Sequence, residues 1–293
     1  MQKIRVAVES GRSLDVWVDG SPGGTPLVVH HGTPTSGLPY GPFVEEATRR
    51  GLRWVSYSRP GYGDSSIQPG RIVGDCASDV ESILDHVDGD RCYTLGGSGG
   101  GPHALACAAL LPERTIAATT VAGVAPYAAE GLDFLAGMGP ENVEEFGAAL
   151  AGPAELRPIL ERWAEEYRDV TPEAVAESLG GLVSDVDKAV LTGEFARAFL
   201  DAYREGARTG IWGWLDDDMA FTVDWGFDLG SIRVPVTIWQ GHQDLMVPPA
   251  HGGWLAEHVA GARMRMEPEH GHLSLYVGSF GALLDDMLEI AER

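Results

Sequence analysis

Leu27-Val28-Val29-His30, residues 53–57, Cys92-Tyr93-Thr94-Leu95 and residues 115–121 read as short strands. The first and third are continuous apolar runs rather than alternating ones, the pattern of strands covered on both faces of a parallel sheet. Helical segments follow the first three, at 41–50, 73–87 and 102–110; the second groups Val73, Cys76, Ala77, Val80, Ile83, Leu84 and Val87 on one broad face. Such strand–loop–helix repetition predicts an α/β protein with a mainly parallel central sheet flanked by helices. Two further strands, 2–9 and 12–18, are expected around a turn at Gly11. The rhythm stops after about Gly123, where helical periodicity broken by prolines 140, 153, 158 and 172 takes over. It resumes with Val234-Pro235-Val236-Thr237-Ile238-Trp239, a helix at 249–258, a strand at 263–267 and a last helix over about 273–291. A core of 1–123 and 226–293 with a helical cap inserted over 124–225 follows from this order, and no internal repeat is present.

The chain's 293 residues suit one such core with its insertion. A formal charge of -22 with no basic patch argues against nucleic acid and anionic membrane as partners. Between Glu141 and Asp224 there are 19 acidic and 7 basic residues. Most of that charge is expected on a solvated helical surface; a minor share at a site entrance would favour a neutral or cationic small-molecule substrate. Cys76, Cys92 and Cys107 have neither metal-ligand nor redox spacing and read as reduced thiols, Cys92 and Cys107 buried. The start Met1-Gln2-Lys3-Ile4-Arg5-Val6 lacks an apolar run of signal-peptide length, and no stretch is long enough to span a membrane, so the expected location is the cytoplasm. Oligomeric state is not encoded in these features.

Gly96-Gly97-Ser98-Gly99-Gly100 joins the strand at 92–95 to the helix near Pro102. A nucleophile on a sharp strand-to-helix turn needs small neighbours, and the helix N-terminus stabilises developing negative charge. Ser98 is therefore the candidate nucleophile, against the plainer reading of a glycine-rich turn with a capping serine. A phosphate-binding loop would end in Gly-Lys-Ser/Thr, and a dinucleotide site would need its glycine spacing in a first βαβ unit; neither pattern is present. His31-Gly32-Thr33-Pro34 ends another strand, where the Thr33 amide beside that of Gly99 would form an oxyanion hole.

The base is sought at the sheet's C-terminal edge. His272, in Glu269-His270-Gly271-His272-Leu273-Ser274, follows the last strand and is expected immediately before the last helix. His270 is its competitor; His30 and His31 read as structural, and His103, His251 and His258 as surface or packing residues on helices. Asp244, in Gly241-His242-Gln243-Asp244, lies after a strand and ahead of the histidine, where it can fix the base's tautomer. Asp216-Asp217-Asp218 falls in the cap and is a poorer candidate for that acid. His30, His31 and Asp64 lack ligand spacing, so no metal is assigned. Trp212, Trp214, Phe221 and Trp225 are candidates for the pocket lining, with core packing as the alternative for most of them.

In this order His31-Gly32-Thr33-Pro34, Ser58-Arg59-Pro60-Gly61-Tyr62-Gly63-Asp64-Ser65, Gly96-Gly97-Ser98-Gly99-Gly100, Gly241-His242-Gln243-Asp244 and Gly271-His272 resemble the cap-bearing branch of the α/β-hydrolase superfamily. The resemblance spans nearly the whole chain and implies an α/β-hydrolase fold with catalytic Ser98, Asp244 and His272. His31-Gly32-Thr33-Pro34-Thr35-Ser36 is similar to the corresponding loop of haloalkane dehalogenases, but those enzymes and epoxide hydrolases carry aspartate at the nucleophile position. Proline iminopeptidases share Gly-Gly-Ser and an acidic cap, but have tryptophan where this chain has Gly99. The expected activity is carboxylesterase-like acyl-enzyme chemistry on a small ester or related carbonyl compound, without a cofactor. The alternatives are an iminopeptidase-like aminopeptidase, a cofactor-free lyase or perhydrolase, and a ligand-binding protein with a slow triad.

Overall fold

The structure, a computed structural model, describes residues 1–292; Arg293, the end of the expected core segment, lies outside the described residues. Eight strands form one sheet: β1 Gln2–Ala7, β2 Ser13–Gly20, β3 Thr25–His30, β4 Leu52–Tyr57, β5 Cys92–Gly97, β6 Thr115–Val121, β7 Val236–Gly241 and β8 Arg263–Glu267. Their spatial order is β1-β2-β4-β3-β5-β6-β7-β8. The β1/β2 and β2/β4 pairs are antiparallel, and every other pair is parallel. The first strand ends earlier than its sequence pattern suggests, and Gly11, at φ 75°, closes a short 3-10 turn before β2.

The core helices are α1 Gly41–Arg49, α2 Cys76–His86, α3 Gly101–Leu110, α10 Pro249–His258 and α11 His272–Ala291. Alternate residues of one apolar strand serve opposite layers. In β3, Leu27 packs with Val44 of α1 and Leu283 of α11, while Val28 packs with Val80 of α2 and Leu105 of α3. The continuous apolar runs are thereby explained, since neither face of the central strands meets water. All three cysteines are buried and free.

Between β6 and β7 lie α4 Pro140–Ala151, α5 Pro153–Arg168, α6 Val175–Ser178, α7 Asp185–Val190, α8 Gly193–Gly206 and α9 Trp212–Phe221. No helix among the described residues is long and apolar enough to cross a membrane.

Asp217 of α9 joins the inserted helices to the core. Its carboxylate is fully buried and receives Arg59 Nη2 and Arg71 Nη2, each at 2.5 Å, and the Tyr62 hydroxyl at 2.7 Å. Burial opposes its charge, but the two guanidinium groups hold Asp217 well below the usual carboxylate range. Removing one member of such a cluster strands the others in a low-dielectric interior. Asp217→Ala is expected to lower the free energy of unfolding in urea by about 3–5 kcal/mol. Asp185→Ala, at a fully exposed site, should stay within about 0.5 kcal/mol of the parent.

Candidate active site

Ser98 occupies the turn between β5 and α3 with φ at 52°, a left-handed conformation that is uncommon for a residue with a side chain. The chain reverses there because its neighbours carry no Cβ. One added at Gly97 would collide with the Tyr276 hydroxyl of α11, and one at Gly99 would collide with Thr33 Oγ1 and lie 2.9 Å from Phe221 Cζ. The second collision gives a steric reason for glycine at position 99. It also places Gly99 directly against Thr33.

Thr33 is held from behind. Its hydroxyl donates to Asp217 Oδ2 at 2.6 Å and accepts from Arg59 Nη2 at 3.2 Å, while Arg59 Nη1 reaches the His31 carbonyl at 2.5 Å. The Arg59 backbone N–H donates to His31 Nε2 at 3.1 Å, so the proton of that ring sits on Nδ1 and faces the Gly32 carbonyl at 3.0 Å. His30 bonds Tyr57 and Thr94. Burial, reinforced by the Arg59 charge, pushes His30 down to about 3 and His31 well below the ordinary histidine value. Both are neutral structural rings.

His272 is the first residue of α11 rather than the residue before it. Its Nδ1–H donates to Asp244 Oδ2 at 2.8 Å, which leaves Nε2 free to accept a proton. Asp244 is itself fixed by Gln240 Nε2 on Oδ2 at 3.1 Å and by the amides of Met246 and Val247 on Oδ1 at 2.9 and 2.8 Å. His270 does not line the cavity that His272 and Ser98 share. His103 and His251 are buried and bonded to backbone groups, and His258 stacks on Trp254.

Sequence reasoning passed over Asp187. This carboxylate of α7 accepts the backbone N–H groups of His272, Leu273 and Ser274 at 2.9, 2.9 and 2.8 Å. It therefore caps the helix that carries His272, from 85 residues away in the chain. A Cβ on Gly271 would collide with Asp187 and the neighbouring Ser184, which accounts for the glycine before the histidine. Ser184-x-x-Asp187 resembles a local helix start, so nothing in the sequence indicates its distant partner.

Ser98, Gly99, Thr33 and His272 line a cavity of about 510 Å³, within the range for small-molecule sites. Trp214 and Phe221 line it too, but two other expected pocket residues do not. Trp212 is 38% exposed on the outer side of α9 under Arg157, and Trp225 packs in the core beside Phe227. On α9, Trp214 and Phe221 lie about two turns apart on the cavity side, whereas Trp212 projects elsewhere and Trp225 lies past the helix end. Asp64 is remote from the two histidines' ring contacts and pairs with Arg208. Among the described residues no group of three or more His, Cys, Asp or Glu side chains is placed to hold a metal ion.

A family profile described as the alpha/beta hydrolase fold matches residues 25–279. A non-heme chloroperoxidase of Streptomyces lividans is 30% identical over 264 residues, covering 86% of this chain and 87% of that protein. A 2-hydroxy-6-oxononadienedioate/2-hydroxy-6-oxononatrienedioate hydrolase of Klebsiella pneumoniae is 23% identical over 272 residues, covering 90% and 86%. Among solved structures, an esterase from Exiguobacterium antarcticum superimposes with a TM-score of 0.69 at 20% identity, over 100% of both chains.

Burial alone would depress the His272 imidazolium, but the charge and hydrogen bond of Asp244, with Asp187 adding to them, raise it above the ordinary 6.5. An NMR titration of His272 should therefore have its midpoint above 6.5. Asp244→Asn is expected to move the midpoint strongly to lower pH, and Asp187→Asn to move it by less in the same direction.

Proposed function

Because this chain belongs to the alpha/beta hydrolase fold family, we propose that it is a serine hydrolase cleaving small carboxylic esters through an acyl-enzyme. The observation that carries this reading is Ser98 at φ 52° on the β5–α3 turn, in one cavity with a histidine whose Nδ1 is tied to Asp244. His272 Nε2 takes the hydroxyl proton as Ser98 Oγ attacks the ester carbonyl. The backbone N–H groups of Thr33 and Gly99 receive the oxyanion. His272 then gives its proton to the departing alkoxide; a water, deprotonated by the same nitrogen, attacks the acyl carbonyl and restores Ser98.

An ester is favoured over an amide because an alkoxide leaving group demands the least additional machinery. The helices α4–α9, expected over 124–225, act in this reading as a cap that sizes the cavity and excludes water. Glu141, Glu145 and Phe146 of α4, Phe195 and Phe199 of α8, and Trp214, Asp218 and Phe221 of α9 all face it. Among the described residues no lysine or arginine lines it. A dioate of the kind named for the Klebsiella relative would enter without a cationic partner, which disfavours that substrate here.

Purified protein is expected to hydrolyse short-chain p-nitrophenyl esters, and Ser98→Ala to reduce kcat by about 10⁴-fold or more. Electrospray mass spectrometry during turnover should show an acyl adduct on the parent and none on the variant. The kcat/KM profile should fall on the acid side with a midpoint above 6.5, because the rate requires neutral His272 and its imidazolium is stabilised. Equal rates for parent and variant would remove Ser98 from the mechanism.

A further inference from the structure

The cavity wall contributed by α4, α8 and α9 has a chemical bias that ester cleavage does not require. Glu145 and Asp218 both line it, and both are more than nine-tenths buried. Among the described residues neither has a basic partner, and the two carboxyls hydrogen-bond each other. Glu145 accepts Trp214 Nε1–H at 2.5 Å, and Asp218 Oδ2 has no hydrogen-bond partner. Arg71 is committed to Asp217 and the Gly213 carbonyl. Two further polar atoms on the lining are buried and unpartnered, the Tyr203 hydroxyl and Glu141 Oε2. Buried polar groups are nearly always satisfied, so three orphans in one cavity indicate a missing partner. An ammonium would offer N–H donors to Asp218 Oδ2, Glu141 Oε2 and the Tyr203 oxygen.

Charge and ring geometry narrow the choice. Burial, and then the adjacent Glu145 charge, push Asp218 well above the usual carboxylate range. Such a pair is relieved either by a shared proton or by a cation. Trp214 stacks with Trp163 at 6.0 Å between centroids and meets Tyr203 edge-on at 5.9 Å, supplying aromatic surface beside the carboxylates. Asp218 also precedes Phe221 by about one turn of α9, and Phe221 adjoins Gly99, so the pair lies near the proposed oxyanion end of the cavity.

We propose that Glu145 and Asp218, with the Tyr203 hydroxyl and the Trp214 ring, form a subsite for a protonated primary or secondary amine on the substrate. The proposal rests on the Ser98 hydrolase reading for the bond cleaved, but not for the binding itself. In the bound state the ammonium N–H groups donate to Asp218 Oδ2 and to Tyr203 Oη, and its charge replaces a proton shared by the two carboxyls. The substrate class becomes an amino-bearing ester, with carboxylate-bearing analogues excluded by repulsion.

The test compares kcat/KM for three p-nitrophenyl esters of similar length: the cationic 6-aminohexanoate, the neutral heptanoate and the anionic heptanedioate monoester. The cationic ester should exceed the neutral one by at least tenfold, through a lower KM, and the anionic ester should be slowest. In Asp218→Asn the cationic-to-neutral ratio should fall toward one; a purely structural loss would depress both esters alike and leave the ratio standing. Calorimetric titration of Ser98→Ala with hexylamine at pH 7.5 should show binding, with hexanol much weaker. A ratio near one in the parent together with no amine binding would overturn the subsite, leaving a shared proton between the two carboxyls as its explanation. Absence of all ester hydrolysis with amine binding retained would instead sink the esterase reading and leave the subsite supported.

Discussion

Asp217 draws two guanidinium groups, a phenol and a threonine hydroxyl around one buried carboxylate. Three of these partners, Arg59, Tyr62 and Arg71, share the one connection between β4 and α2, and Thr33 lies in the loop after β3. A charge cluster supplies directional bonds between these loops and α9 that dispersion cannot. The cost of burying three charges is met only while all of them are present. The place of Thr33 beside Gly99 thus depends on a residue of an inserted helix.

The same logic recurs at the base. Asp244 orients the His272 ring, while Asp187 fixes the backbone from which that ring projects. Aspartates of α7 and α9 therefore act on His272 and on Thr33, from helices distant from them in chain order. Moving these inserted helices as a rigid lid would break both sets of bonds and expose buried charge. Access to the cavity is more economically provided by side chains and short loops at its rim than by such an opening.

The sheet was legible because continuous apolar runs and amphipathic helices alternate with little exception, and burial on both faces leaves no other use for them. The turn at Ser98 was legible because four glycines flank it between a strand and a helix, and Asp244 and His272 because each stands at a strand end in sequence order. Asp187 and Asp217 were not. Their partners are distant in sequence, and a buried aspartate in a strongly acidic segment has the same local pattern as a solvated one. The four aromatic candidates divide by position: helical phase turns Trp214 and Phe221 inward while leaving Trp212 at the surface, and Trp225 lies past the end of α9.

Acidic composition is therefore a poor guide to what the inserted helices do, because one charge type serves three physical ends there. Asp185 is solvated and adds to the net charge without a buried partner. Asp187 and Asp217 are buried and fully bonded, and their charges are spent inside the protein. Glu145 and Asp218 are buried against each other with no basic side chain among the described residues beside them, a pair that either a shared proton or a ligand cation relieves. Only this last group can select a ligand by charge. A protein that neutralises Asp217 with two arginines yet leaves Asp218, the next residue, facing only another carboxyl on a cavity wall separates positioning from recognition within a single helical turn.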